Sequence, residues 1–344
     1  MALFNHMRSA IKLVFSRAAA GLFAIAAVFM ILWSMAAIYY SNLPWHFLRT
    51  SGAVAFAAVC AGVLLAVRPP RRAVLVFLAA FAAILIWWLL IPPSNDRDWQ
   101  PDVAVLPSAQ IDGNMVTVRN IRNCDYRSAA DYTVSYYDKT FDLSKLKGAD
   151  LFICFWGSPL IAHTIMSFCF EDDRNLCISI ETRKEKGEDY SAVRGFFKQY
   201  ELIYIVGDER DLIGLRTNFR KETVYLYQLL ANQALVREVL LDYVKAINKL
   251  NAQPEWYNAL TENCTTAIRG HTAPYAHGKM SWKILANGYL DTLLYERNAV
   301  DTNMPFEQIK SLSKISEKAQ KAGNAADFSI IIRRDLPNPN SWQK

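Results

Sequence analysis

The stretch "IAHTIMSFCFEDDRNLCISIETR" (161–183) decides the fold, because two alternating runs flank the polar turn "EDDRN". Read as a hairpin with a five-residue loop, it sets Phe170 opposite Leu176. Side chains alternate between faces along a strand. One face then carries Ala162, Thr164, Met166, Phe168 and Phe170 with Leu176, Ile178, Ile180 and Thr182, which is a core face. The other carries His163, Ser167 and Cys169 with Cys177, Ser179, Glu181 and Arg183. A mostly polar face on adjacent strands needs a reason, since buried polar groups cost free energy unless they pair. It is either the solvated side of a half-exposed antiparallel sheet or a site in which Glu181 or Ser179 orients His163.

Further strands are expected around this hairpin: "NMVTVRNIRN" (114–123), residues 131–137, "ADLFICFW" (149–156) and "YELIYIV" (200–206). The pattern changes at "ETVYLYQLLANQALVREVLLDYVKAINKL" (222–250). Its apolar residues fall at threes and fours without proline or glycine, as in a helix. Strands first and helices later give an α+β class with an antiparallel sheet, in a domain spanning about residues 94–305. Residues 306–344 are polar and lysine-rich, and read as an extension ending in a loose tail, "LPNPNSWQK".

The first 93 residues are of another kind. Three apolar runs, at about 18–40, 51–67 and 73–91, are transmembrane helix candidates, the second at the short limit. Arg8, Lys12 and Arg17 precede the first run and "RPPRR" (68–72) separates the second from the third, whereas the other loop holds only Arg49. By the positive-inside rule the N-terminus is cytoplasmic and everything after Ile91 lies on the far side. The net charge of +6 is therefore partly topological. There is no basic cluster interleaved with aromatics, no zinc-type cysteine spacing and no glycine-rich phosphate loop, so neither nucleic acid nor a metal or other cofactor is expected.

Six cysteines stand at 60, 124, 154, 169, 177 and 264. Cys60 falls within the second apolar run and reads as a small apolar residue. Cys124, Cys154, Cys169 and Cys177 are open to disulfide formation in an oxidising compartment. Cys264 differs. In "LTENCTTAIRG" (260–270) either Asn263 or Thr261 can cap a helix, leaving Cys264 in its first turn. A helix N-terminus and a nearby imidazolium both favour a thiolate, lowering a thiol below its free value of about 8.5. Cysteine at a helix start, histidine on a strand and a polar group one strand over follow papain-like logic, with Cys264 as nucleophile and His163 as base. Glu181 or Ser179 would orient the imidazole, and the first backbone amides of the helix would stabilise an oxyanion. Asn263, Thr265, Arg183, Ser167 and Tyr257 are expected in support, Arg183 as an ion-pair partner of Glu181. His271 and His277 are rival bases or surface residues.

The stretches "VRNIRNCDYRS", "IAHTIMSF", "SIETRKEKGEDYS", "YELIYIVGDERDLIGLRTNFR" and "WYNALTENCTTAIR" resemble the Lnb-type periplasmic-domain family, from about residue 99 to 269. That family is related to circularly permuted NlpC-like, papain-fold cysteine enzymes. The resemblance implies a catalytic cysteine at Cys264, in "NCTT", and a catalytic histidine at His163. The founding member is a bacterial lipoprotein N-acyltransferase that moves an acyl chain from a phospholipid to a lipoprotein's N-terminal cysteine. Its additional membrane helices follow the periplasmic domain, whereas here they precede it. The expectation is a bacterial inner-membrane thiol acyltransferase or lipid-directed hydrolase. Its partners would be the phospholipid bilayer and a lipoprotein or other acyl acceptor. A cysteine peptidase or amidase acting on cell-wall peptides, and a non-catalytic membrane scaffold, are the alternatives.

Overall fold

The computed structural model describes residues 2–171, 175–275 and 278–337, with side chains from residue 17 onward. It forms two compact units, residues 1–92 with 197–199, and residues 93–196 with 200–344. In the first unit, α1 (Ala2–Tyr39), α2 (His46–Ala66) and α3 (Pro70–Leu89) are long and apolar enough to cross a membrane. The second is longer than its apolar run because His46 to Thr50 join the helix. Ala27, Cys60 and Phe77 form the small buried cluster among the three. Pro70 opens α3 at the first helical position, where its missing N–H breaks no bond.

The second unit is built on a sheet. Its strands are β1 (Ser108–Asp112), β2 (Met115–Arg122), β5 (Tyr136–Asp142), β6 (Leu146–Phe155), β7 (Ala162–Phe170), β8 (Asn175–Arg183), β9 (Glu201–Gly207) and β10 (Thr223–Gln228). The short β3 (Asp125–Tyr126) and β4 (Tyr132–Thr133) pair apart from it. The order is β1-β2-β9-β8-β7-β6-β10, with β5 also on β2. Every pairing is antiparallel except β2 with β9, which meet in parallel at Arg122 and Gly207. The helices are α4 (Glu209–Gly214), α5 (Gln233–Ala252), α6 (Cys264–Thr272), α7 (Trp282–Leu285), α8 (Leu290–Glu296), α9 (Phe306–Ser313), α10 (Ser316–Ala322) and α11 (Phe328–Arg333).

The α+β class stands, and three details of it change. The "VYLYQ" segment is strand β10 rather than helix, because Val224 and Leu226 bury into one core while Tyr227 enters the other, a period of two. The 131–137 strand resolves into β4 and the start of β5. In the central hairpin Phe168, not Phe170, faces Leu176. Asn175, read as part of the turn, belongs to β8, where its amide donates to the buried Glu209 carboxylate at 3.2 Å. The two-residue shift preserves the faces but brings Glu181, rather than Arg183, level with His163.

Both faces of the sheet are covered. On one side α5 packs Val236, Leu240, Tyr243 and Ile247 against Met166, Phe168, Ile178 and Ile180. On the other, Leu212 and Ile213 join Ile315, Ala319, Phe328 and Ile332 over Ile165, Cys177, Ile203 and Ile205. The half-exposed sheet is thereby excluded. The extension after residue 305 folds onto the sheet, since α10 and α11 supply this second core; of the tail "LPNPNSWQK", residues 338–344 lie outside the described residues. Burying the mixed face requires paired charges. Arg333 reaches Glu209 at 2.6 Å and Asp150 at 2.8 Å, and Arg122 reaches Asp211 at 2.7 Å.

Phe328→Ala should destabilise the sheet unit by about 3–5 kcal/mol, since it opens a cavity in a fully buried position. Urea-dependent pulse proteolysis of the membrane-embedded chain measures this, and an unchanged midpoint would return the C-terminal helices to the status of an appendage.

Candidate active site

Strands β7 and β8 pair only from Ile165 and Ser179 to Cys169 and Asn175. Beyond Ile165, β7 continues on β6 through His163 and Ala162, while β8 continues on β9 through Glu181 and Arg183. The sheet thus forks between its central strands, and the backbone there is held from outside the gap. Side chains can reach across it. His163 Nε2 lies 2.8 Å from Ser179 Oγ and 3.4 Å from Glu181 Oε1. Ser179 Oγ is 2.7 Å from the same Glu181 oxygen. A carboxylate only accepts, so the Ser179 hydroxyl donates to Glu181 and accepts from Nε2–H. This network assigns the proton of the neutral imidazole to Nε2 and leaves the Nδ1 lone pair for another partner.

That partner comes from α6, which packs on β7 and β8 and begins at Cys264. Asn263 caps the helix: its side chain accepts from the Thr265 and Thr266 amides at 3.0 Å each, while Thr266 Oγ1 accepts from the Asn263 amide at 3.0 Å. This capping box fixes where the helix starts, and hence where the thiol points. It also changes one expectation. The Thr265 and Thr266 amides are occupied by the cap and are not available to an oxyanion.

Burial alone would push the Cys264 thiol up. The charge and hydrogen bond of His163, with bonds from the Thr164 side chain and backbone, outweigh it and bring the thiol down to about 6. His163 is lowered by burial and by the Arg216 charge, yet the thiolate and Glu181 hold it above its ordinary value. Glu181 is opposed by burial but carried well below the usual carboxylate range by Arg216 and His163. Both shifts run in the direction that favours a thiolate beside an imidazolium.

The structure brings Cys264, His163, Ser179, Glu181, Asn263, Thr265 and Tyr257 together, but not Arg183 or Ser167. Arg183 is buried elsewhere: its guanidinium donates to Val103 and Ala104 carbonyls and to Asn95, and lies 4.2 Å over Trp99. It cannot pair Glu181, because neighbouring side chains two positions along a strand share a face without meeting tip to tip when one is drawn into a separate pocket. Ser167 donates to Glu209 at 2.5 Å in the Arg333 network on the second face. The cation on Glu181 is instead Arg216, at 3.2 Å, itself held by Glu222 at 3.3 Å. Sequence reasoning missed Arg216, Glu222 and Asn287. Asn287 donates from Nδ2 to Thr265 Oγ1 at 2.8 Å and stands 3.9 Å from Cys264 Sγ. His271 is no rival, since it is locked between Asp242 and Tyr204 at 2.7 and 2.6 Å. His277 lies outside the described residues. All six cysteines are unbridged.

Cys264 and His163 open into a cavity of about 470 Å³. Trp156, Ile161, Tyr190, Phe196, Tyr257 and Leu285 form much of its wall, and all but Tyr257 also stay exposed. Lys184 and Arg220 line it together with the Arg216–Glu181–Glu222 cluster.

Residues 132–295 match the family model of the Lnb N-terminal periplasmic domain. No curated protein and no solved structure matches the chain. The match supports the resemblance to the Lnb-type family, and with the three apolar helices it makes the chain a membrane protein with a periplasmic domain.

Alkylation of Cys264 by iodoacetamide, followed by peptide mass spectrometry, should rise with pH through a midpoint near 6, because the reactive thiolate accumulates as pH increases past the lowered pKa. In His163→Ala, burial acts without its main counterweight and the midpoint should move above about 8.5. Coincident profiles would show that the two side chains do not interact.

Proposed function

We propose that the protein is a membrane-anchored thiol acyltransferase or lipid-directed hydrolase, with a cytoplasmic N-terminus and its second unit in the periplasm. The observation that carries this reading is Cys264 at the capped start of α6, sharing one cavity with a histidine whose far nitrogen is fixed by Ser179 and Glu181. The Cys264 thiolate attacks an ester carbonyl, forming the S–C bond and moving the carbonyl pair onto oxygen. Collapse re-forms the carbonyl and expels the alkoxide of the lysolipid, which takes the proton from His163 Nδ1. His163, now neutral, removes a proton from an amine or water as that acceptor attacks the thioester. The second collapse releases the amide or fatty acid and regenerates the thiolate–imidazolium pair. Ser179 holds the ring in place throughout, and Glu181 favours the imidazolium that each step forms or consumes.

Lipid chemistry is preferred over cell-wall peptide cleavage because of the cavity wall. Exposed Trp156, Ile161, Tyr190, Phe196 and Leu285 suit an acyl chain, and positive charge nearby suits an anionic headgroup. The three apolar helices suit an enzyme tethered to the bilayer, where acyl donors are. A papain-like relationship fits the same geometry.

Membranes carrying wild type, Cys264→Ala or His163→Ala should be treated with a vinyl sulfone bearing an acyl chain and, separately, with one bearing a cell-wall peptide. Wild type should label with the acyl probe, Cys264→Ala not at all, and His163→Ala about 10²–10⁴-fold more slowly. Preferential labelling by the peptide probe would move the assignment to a peptidase or amidase; equal labelling of all three chains would leave a non-catalytic scaffold. The pH profile of acyl transfer should be a bell. It rises near pH 6 as Cys264 loses its proton, and falls above His163's ordinary 6.5 as the imidazolium is lost. Glu181→Gln removes a charge that raises His163, so its descending limb should shift to lower pH.

A further inference from the structure

An acyl reaction at Cys264 places negative charge on an oxygen bonded to the carbon that Sγ attacks, and a buried site must supply donors for it. The capping box narrows the choice. Asn263 Oδ1 takes the Thr265 and Thr266 amides, while the Ala267 amide bonds the Asn263 carbonyl. Of the first-turn donors, the Cys264 amide alone has no acceptor among the described residues.

A second donor stands beside the sulfur. Asn287 is buried, and the orientation of its amide is fixed by its partners rather than by choice. Oδ1 accepts from the Ala162 amide at 2.8 Å, so the other atom must be nitrogen. One Nδ2 hydrogen goes to Thr265 Oγ1 at 2.8 Å. The other is left on the cavity side, with Nδ2 at 3.9 Å from Cys264 Sγ, a distance at which it barely engages the sulfur itself. An oxygen on the carbon bonded to Sγ lies within about 3 Å of the sulfur, so a donor placed there can approach it at about 2.7–3.1 Å. The backbone holds this donor rigidly. The Gly288 amide bonds the Leu160 carbonyl at 3.0 Å, and a Cβ at Gly288 would stand 2.1 Å from the Pro159 carbonyl oxygen. Only glycine lets the 287–289 turn dock so closely on the segment leading into His163's strand.

We propose that Asn287 Nδ2–H and the Cys264 backbone N–H together form the oxyanion hole of this site, which rests on the thiol–acyl chemistry proposed above. Asn287 is then a catalytic residue in contact with the reacting carbonyl, acting on the tetrahedral state more than on the resting thiolate. As Sγ bonds the carbonyl carbon, the carbonyl π pair moves to oxygen and both N–H groups receive it; collapse returns the pair and releases the donors.

The test compares two reactions of Cys264 in the full-length, membrane-embedded chain. Iodoacetamide alkylates by displacement of iodide and forms no oxyanion, whereas p-nitrophenyl butyrate acylates through a tetrahedral oxyanion. Asn287→Ala should slow acylation by about 10²–10³-fold while alkylation stays within a few-fold of wild type. A parallel fall in both rates would assign Asn287 a structural role, and unchanged acylation would remove it from the chemistry; either overturns the proposal. A wild-type protein that alkylates at Cys264 but never acylates would instead overturn the acyl-transfer reading itself, and the oxyanion hole with it.

Discussion

The Ser179 hydroxyl has one proton, and its position decides how the site works. Glu181 can only accept, so that proton points away from His163 and the imidazole must donate from Nε2. Everything at the reacting end follows from this constraint. Nδ1 becomes the basic nitrogen, Cys264 becomes its partner, and the charge that Glu181 contributes reaches the ring without occupying the position the thiol needs. Arg216 and Glu222 keep Glu181 ionised although it lies between strands. Such a chain is stable only when each member is satisfied, because an unpaired buried charge costs several kcal/mol.

The fold supplies the gap in which this chain fits. A continuous β7–β8 ladder would fill the space with backbone hydrogen bonds. The two strands part above Ile165 and Ser179, and each keeps its outer neighbour there, β7 on β6 and β8 on β9. One core, built on α5 and α6, delivers the thiol; the other, built on α4, α10 and α11, covers the face of Ile165 and Cys177, on which His163, Ser179 and Glu181 also lie. Paired charges run through this second core, with Arg122 on Asp211 and Arg333 on Asp150 and Glu209.

Much of this was legible in the sequence, for identifiable reasons. The hairpin, its polar face and the helix start at Cys264 are local patterns, set by period-two alternation and by an asparagine cap. The register was not legible, because Asn175 looks like a turn residue until its amide is seen bonding Glu209. Strand β10 was hidden by running directly into α5, so that two periodicities read as one. Arg183 was chosen for Glu181 by closeness in sequence, whereas Arg216 arrives from the turn of helix after α4, a tertiary fact. Asn287 had one signal, the Asn–Gly pair in "LANGYL", which marks a turn but not its target. The C-terminal helices carried their apolar residues openly, at Ile315, Ala319, Phe328 and Ile332, among enough lysines to pass for a solvated tail.

The central claim is that Cys264 carries the acyl group as a thioester. The direct measurement is peptide mass spectrometry of the full-length protein after brief incubation in bilayers of a phospholipid with isotopically labelled acyl chains, quenched in acid. The account predicts the labelled acyl mass on the peptide containing Cys264, removed by hydroxylamine and absent from His163→Ala. A Cys264 peptide that stays unmodified under turnover, or a label that resides on another cysteine, would contradict it.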